Sequence, residues 1–242
     1  MKRVATITTH SALNYGAVLQ AYALSTYLND IGYHCEVLDY QPEYISESYR
    51  LVKRPRTPSG IMLSGFQVMH YRERKLRRAR FEAFRKNSLK TTYEKATKKE
   101  ELISLANKFD VLICGSDQIW NPKLHHFDEA YFLSYPEIKA RRMSYAASFG
   151  QDSLDNDSKK EIARRISVIE RFGCREYSAQ KVIRELTGQD AAMVLDPVFL
   201  LPAETWRVIK TKFDCKKGNI SWHISCRILE TRQKSLSIMR ER

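Results

Sequence analysis

No stretch of about 18 consecutive apolar residues occurs in the chain, so no segment reads as a membrane-spanning helix. The amino-terminal MKRVATITTH lacks an apolar core long enough for a secretory leader, and the chain is therefore expected in the cytoplasm. Glycine (9) and proline (7) are scarce, which excludes a collagen-like or linker-dominated protein. The five cysteines, Cys35, Cys114, Cys174, Cys215 and Cys226, form no CxxC pair, which argues against a disulfide framework and a cysteine-rich zinc site. Cys35, Cys114 and Cys174 each lie in a short β-like run and are expected as buried thiols. The six histidines show no HxH or HExxH spacing, so no metal is expected. The GxGxxG, P-loop and GxSxG patterns are all missing, which removes the usual sequence support for a dinucleotide, nucleoside triphosphate or serine-hydrolase site.

What is present is a folded chain. An apolar content of 43% with 11% aromatics excludes disorder, and 242 residues make one large domain or two small ones. Against 28 acidic side chains stand 41 basic ones, a net charge of +13 that favours anionic ligands. Much of this charge lies in His70–Lys90, which holds nine Lys or Arg against Glu73 and Glu82. Its apolar stripe of Leu76, Phe81 and Phe84 is narrow. The plain reading is a solvated helix at a domain edge. The functional one is a surface for phosphates or lipid headgroups, hence peripheral membrane contact. No zinc-finger, RNP or helix-turn-helix signature accompanies the charge, and nucleic acid is not expected as a partner.

Short β-branched runs alternate with helical patterns. Val4–Thr8 reads as a strand, and Asn14-Tyr15-Gly16 opens a helix stopped by Gly32. His34–Leu38 is a second strand. Gln41–Ser64, with Pro42, Pro55, Pro58 and Gly60, reads as a loop. Lys98–Asn107 is a helix, Val111–Cys114 a strand, and Arg141–Ala147 another. Ser158 is expected to open a helix through a capping box with Glu161. Phe172–Cys174, the helix Tyr177–Leu186 and the strand Ala191–Leu195 follow. Strands separated by helices predict parallel pairing, and the fold class is α/β, a Rossmann-like open parallel sheet with flanking helices. The tail, residues 214–242, has no tidy strand or helix. Back-translated and read in a shifted frame, Asn219–Cys226 becomes an apolar strand-like run. The expectation is therefore residues 1–213 as one Rossmann-like domain, then a frameshifted tail with a second domain missing.

In such a sheet ligands sit beyond the carboxyl ends of the strands. After the first strand, Asn14, Tyr15 and Gly16 offer a polar turn at a helix start, where free N–H groups favour an anion or a sugar oxygen; the alternative is a cap and a turn. After Cys114, the run CGSDQIWNP brings Ser116, Asp117, Trp120 and Asn121 together. The polar groups suit hydroxyls or phosphate, and the Trp120 ring suits a sugar face. The alternative is an Asp117 cap with Trp120 in the core. Arg175, leaving a strand, can fork onto a phosphate or carboxylate, or pair with a neighbouring acid. Asp196, before Pro197, reads as a cap. His10 is the one histidine placed for ligand contact, and His125 and His126 read as surface loop residues.

These segments occur in a telling order: NYGAVLQAYAL (Asn14–Leu24), DYQP (Asp39–Pro42), DVLICGSDQIWNP (Asp110–Pro122), SYAASFG (Ser144–Gly150), CREYSAQ (Cys174–Gln180) and VLDPVFLL (Val194–Leu201). Over residues 1–213 the chain resembles the polysaccharide pyruvyl transferase family. The resemblance implies the N-terminal half of a glycosyltransferase-B fold. It also implies transfer of the enolpyruvyl unit of phosphoenolpyruvate to a sugar acceptor, free or lipid-linked, giving a pyruvate ketal and phosphate. No cofactor is implied. By similarity Arg175 contacts the donor, and Asn14, Tyr15 and Gly16 line the strand-end loop. Ser116, Asp117 and Asn121 face the cleft, with Asp117 as acceptor contact or base. The family draws further groups from a second domain, so the chain alone is expected to be inactive. Two other readings stay open: a nucleotide-sugar glycosyltransferase, and a non-enzymatic basic module for anionic polymer.

Overall fold

The computed structural model describes residues 2–49, 51, 65 and 67–209. The expectations for Pro55, Pro58 and Gly60 and for the tail 214–242 fall outside the described residues. The chain divides into two compact units, Met1–Leu200 and Leu201–Arg242. The first carries the sheet and the site. In the second, the described residues form one helix, Ala203–Ile209.

Five parallel strands make the main sheet: β1 (Arg3–Ile7), β2 (His34–Tyr40), β3 (Thr91–Ala96), β4 (Val111–Cys114) and β5 (Arg141–Ser144), in the order β3-β2-β1-β4-β5. Two further parallel strands, β6 (Phe172–Cys174) and β7 (Ala191–Met193), pair with each other. Single bridges, Met143 to Arg171 and Ala147 to Cys174, join β6 to the β5 side. The Ser144 hydroxyl strengthens that join, donating to the Gly173 carbonyl (3.2 Å) and accepting from the Gly173 amide (3.1 Å). The Rossmann-like reading holds.

The elements follow from burial. β1 and β4 lie inside the sheet and are covered on both faces, so they read as continuous apolar runs. Helix α1 (Tyr15–Asp30) starts where the Asn14 side chain accepts from the Ala17 amide (3.3 Å). Beyond β2, the expected loop contains a short helix, α2 (Glu43–Ser48). The basic segment forms α3 (Tyr71–Ser88), with Phe81 as its buried residue. β3 was not legible as a strand: at the sheet edge its middle residues Tyr93, Glu94 and Lys95 are exposed, so no apolar run marks it. Helices α4 (Lys99–Ala106), α5 (Pro122–His125) and α6 (Glu129–Phe132) precede β5. Helix α7 (Asn156–Ile166) starts earlier than expected. Asp155 is its cap, taking both the Ser158 amide and hydroxyl at 2.8 Å, because an ionised carboxylate is the stronger acceptor. Helix α8 (Tyr177–Thr187) ends on Gly188.

The core gathers Leu112, Trp120, Phe132, Phe149 and Ile162 between sheet and helices. Trp120 is fully buried, with its ring parallel to Phe132 (centroids 5.9 Å apart) and its indole N–H on the Tyr131 carbonyl (3.0 Å). Its sugar-stacking reading is thereby corrected: the ring belongs to the core. Cys35, Cys114 and Cys174 are buried free thiols. Burial pushes Cys35 up to about 12 and Cys174 up to about 11, so both stay protonated and unreactive.

Candidate functional site

The strand order reverses between β1 and β4, since the chain adds β2 and β3 on one side of β1 and then crosses to β4 and β5 on the other. At such a reversal the two flanking loops diverge and leave a crevice. Here the loops are Thr8–Asn14 and Gly115–Asn121. They approach closely because residue 115 is glycine: a Cβ there would stand 3.1 Å from Thr8 Cβ and 3.2 Å from the Ile7 carbonyl.

The β1 tip organises its neighbours through three consecutive side chains. Thr8 Oγ1 accepts from Gln20 (2.7 Å) and donates to the Ser116 carbonyl (3.0 Å). Thr9 Oγ1 donates to Asp117 Oδ2 (3.1 Å). His10 reaches the other way: Nδ1 lies 3.2 Å from the Thr8 carbonyl and Nε2 3.0 Å from Asp39 Oδ1, at the end of β2. Both ring nitrogens thus face oxygen atoms. Gln41 adds a 2.6 Å bond to the same Asp39 oxygen. Burial alone would raise the Asp39 carboxyl, but the bonds from His10 and Gln41 outweigh it and hold the group below the usual carboxylate range. The His10 side chain is 1% exposed and ties the tip of β1 to the end of β2, and with Asp39, Gln41 and Arg85 it lines a small cavity there.

Asp117 differs. Its Oδ1 takes the Gln118 amide (2.8 Å) and its carboxylate is half-buried. Its backbone sits at φ +88°, a left-handed conformation that costs a non-glycine residue energy. A parallel bridge to Ala147 and the Ser148 amide on its carbonyl (3.1 Å) hold it there.

The chain of contacts continues along the rim. Ser116 Oγ donates to Asp196 Oδ2 (3.3 Å), the oxygen that also takes Arg175 Nη1 (3.0 Å). Arg175 Nε points to Glu176 Oε1 (3.3 Å), which accepts the Ser148 hydroxyl (2.9 Å). Asp196 caps the turn after β7 through the Val198 amide, as expected, and anchors Arg175 as well. The guanidinium is partly exposed and keeps N–H groups unbonded among the described residues.

Asn14, Asp117 and Arg175 therefore stand on one rim. Asn14, Tyr15 and Gly16 are exposed beside the crevice, with the Tyr15 ring 4.8 Å from Phe81. Ser116 is fully buried. Asn121 is buried too, donating to Gln118 (2.9 Å) and capping α5 through the Lys123 amide (3.0 Å). Both shape the Asp117 loop from inside. Gly150 closes that loop from above: at φ +67°, a Cβ would stand 2.5 Å from Gln118 Oε1.

Sequence reasoning missed four groups. Thr9 and Asp39 hold the β1 tip, and DYQP was the available signal for Asp39. Tyr40 and Tyr44 both donate to Asp128 Oδ2 at 3.0 Å. His125, expected on the surface, is buried against the Tyr131 ring (4.8 Å), because the Asn121-capped turn folds it inward. Burial pushes its pKa down in spite of nearby Asp117 and Asp128. His126 is exposed as expected.

Parallel strands with a polar rim at the reversal point define a Rossmann-like α/β module. A sequence model of the polysaccharide pyruvyl transferase family matches residues 14–238, and the chain belongs to that family. No curated protein matches the chain. Among the described residues no helix is long and apolar enough to cross a membrane.

Proposed function

We propose that the protein transfers the enolpyruvyl unit of phosphoenolpyruvate to two hydroxyls of a sugar, forming a pyruvate ketal and releasing phosphate. The observation that carries this reading is the pair of groups on the rim: a half-exposed, strained Asp117 and a partly unbonded Arg175, linked through Ser116 and Asp196. The donor carries a phosphate and a carboxylate, and Arg175 suits either through its planar N–H groups. Asn14, Tyr15 and Gly16 offer a polar edge to the same ligand. Asp117 accepts the proton of the first sugar hydroxyl as its oxygen bonds to the enol carbon. The methylene carbon gains a proton and becomes the methyl group. Phosphate then leaves with the C–O electron pair, and the second hydroxyl closes the ketal as its proton passes to the departing phosphate. Exopolysaccharide or cell-wall sugars, free or lipid-linked, fit the family as acceptors.

Titration calorimetry with phosphoenolpyruvate tests the reading. Saturable binding is expected, weakened about tenfold to a hundredfold in Arg175→Ala, the cost of losing charge-assisted bonds. Unchanged affinity in that variant would overturn the assignment. So would tight binding of a nucleotide sugar in place of phosphoenolpyruvate.

A further inference from the structure

Helix α3 carries cations on two sides, and the two sets do different things. Arg74, Arg77 and Arg85 share the face of buried Phe81 at helical spacing. They donate to the backbone carbonyls of Leu51 (3.0 Å), Leu13 (2.9 Å) and Ser11 (2.6 Å). Burial lowers the Arg85 pKa, consistent with a guanidinium used structurally. By contrast Arg72, Lys75 and Lys86 are exposed and make no hydrogen bond or ion pair among the described residues.

Among these outward cations stand apolar side chains in water: Val68 is 60% exposed, Met69 77% and Leu76 53%. One exposed hydrophobic residue is ordinary. Three within nine positions, interleaved with unpaired cations on the edge of a chain of net charge +13, call for a partner that uses both kinds of group. A free polyanion satisfies the cations and leaves the apolar side chains in water. A layer of anionic lipid headgroups over acyl chains satisfies both.

We infer that this face of α3, with Val68 and Met69 ahead of it, docks on an anionic lipid surface. Arg72, Lys75 and Lys86 lie on the headgroups, and Met69 and Leu76 enter the acyl boundary. Arg77 and Arg85 tie the same helix to the loop of Asn14, so docking holds that loop against the membrane, where a lipid-linked acceptor arrives. That consequence rests on the proposed transfer; the docking itself does not.

Co-sedimentation of the full chain with vesicles tests it. Binding is expected to phosphatidylglycerol–phosphatidylcholine vesicles and not to phosphatidylcholine alone, and it should weaken as salt rises. Arg72→Glu with Lys75→Glu should weaken it more than about thirtyfold. Met69→Ser with Leu76→Ser, at unchanged charge, should weaken it about tenfold. These positions are exposed, so circular dichroism should stay that of the wild type. Failure to bind anionic vesicles overturns the inference. So does binding indifferent to Met69 and Leu76 and matched by soluble heparin, which assigns the patch to a free polyanion. Phosphoenolpyruvate titration reads the transfer proposal separately and is unaffected by either outcome.

Discussion

Two aspartates stand on the same rim, Asp39 at the end of β2 and Asp117 in the loop after β4, each gripped by the tip of β1, and they are built for opposite purposes. Asp39 is doubly tied through one oxygen: His10 and Gln41 converge on it, and the imidazole that holds it is shut away from water. Asp117 takes one hydroxyl and one amide and keeps a face open, on a backbone bent into a left-handed turn. The first carboxylate is spent on stability. The second leaves stability unclaimed, as groups reserved for chemistry commonly do.

The strongest way to break this contrast is Asp39→Ala, which leaves the buried Nε2 of His10 without its hydrogen-bond partner. A loss of about 2 kcal/mol in urea unfolding is expected, with phosphoenolpyruvate affinity of the folded protein intact. A loss below about 0.5 kcal/mol, the range of an ordinary surface change, would deny Asp39 its structural role. Arg175→Ala should do the reverse, costing about 2 kcal/mol of donor binding with little change in the unfolding midpoint. Asp117→Gly should raise stability by about 1 kcal/mol, since glycine adopts φ +88° freely. It should leave donor affinity unchanged, because the proposed base does not touch the donor's anionic groups. Destabilisation by this change would mean that the Thr9 and Gln118 bonds outweigh the strain.

The smallest effect lies in acid. The Asp39 pKa is lower in the folded state than in the unfolded chain, so its contribution is complete above the unfolded value of about 3.9 and disappears as pH falls through the folded one. Stability should therefore fall less steeply with acid in Asp39→Asn. Exposed carboxylates such as Asp155 and Glu161 are also depressed, by Ser158 and Arg165 respectively. Only the difference between wild type and variant isolates the buried pair. Identical slopes would remove the His10–Asp39 bond from the account.

Much of this architecture was legible in the residues. β1, β4 and β6 are largely buried, so their sequences are mostly apolar and announce themselves. β3 is half solvent-facing at the edge, and its Thr-Thr-Tyr-Glu-Lys-Ala carries no such mark. The loop of Asp117 was found because a cluster of polar side chains follows an apolar strand. Within that loop, composition alone did not separate Asp117, half-open, from Trp120, which packs on Phe132. That division depends on how a turn directs successive side chains. The His10–Asp39 link was invisible for a related reason: it joins residues 29 apart in the chain, and only the pairing of β1 with β2 brings them together. His125 read as surface because a His-His dipeptide between two strands gives no hint of the enclosing aromatic ring.

The arginines that reach from α3 to the first loop grip main-chain oxygens, those of Ser11 and Leu13, and leave the side chains at both positions unconstrained by that grip. Every amino acid presents the same carbonyl. The loop can thus change its chemical lettering over generations while its anchorage stays put.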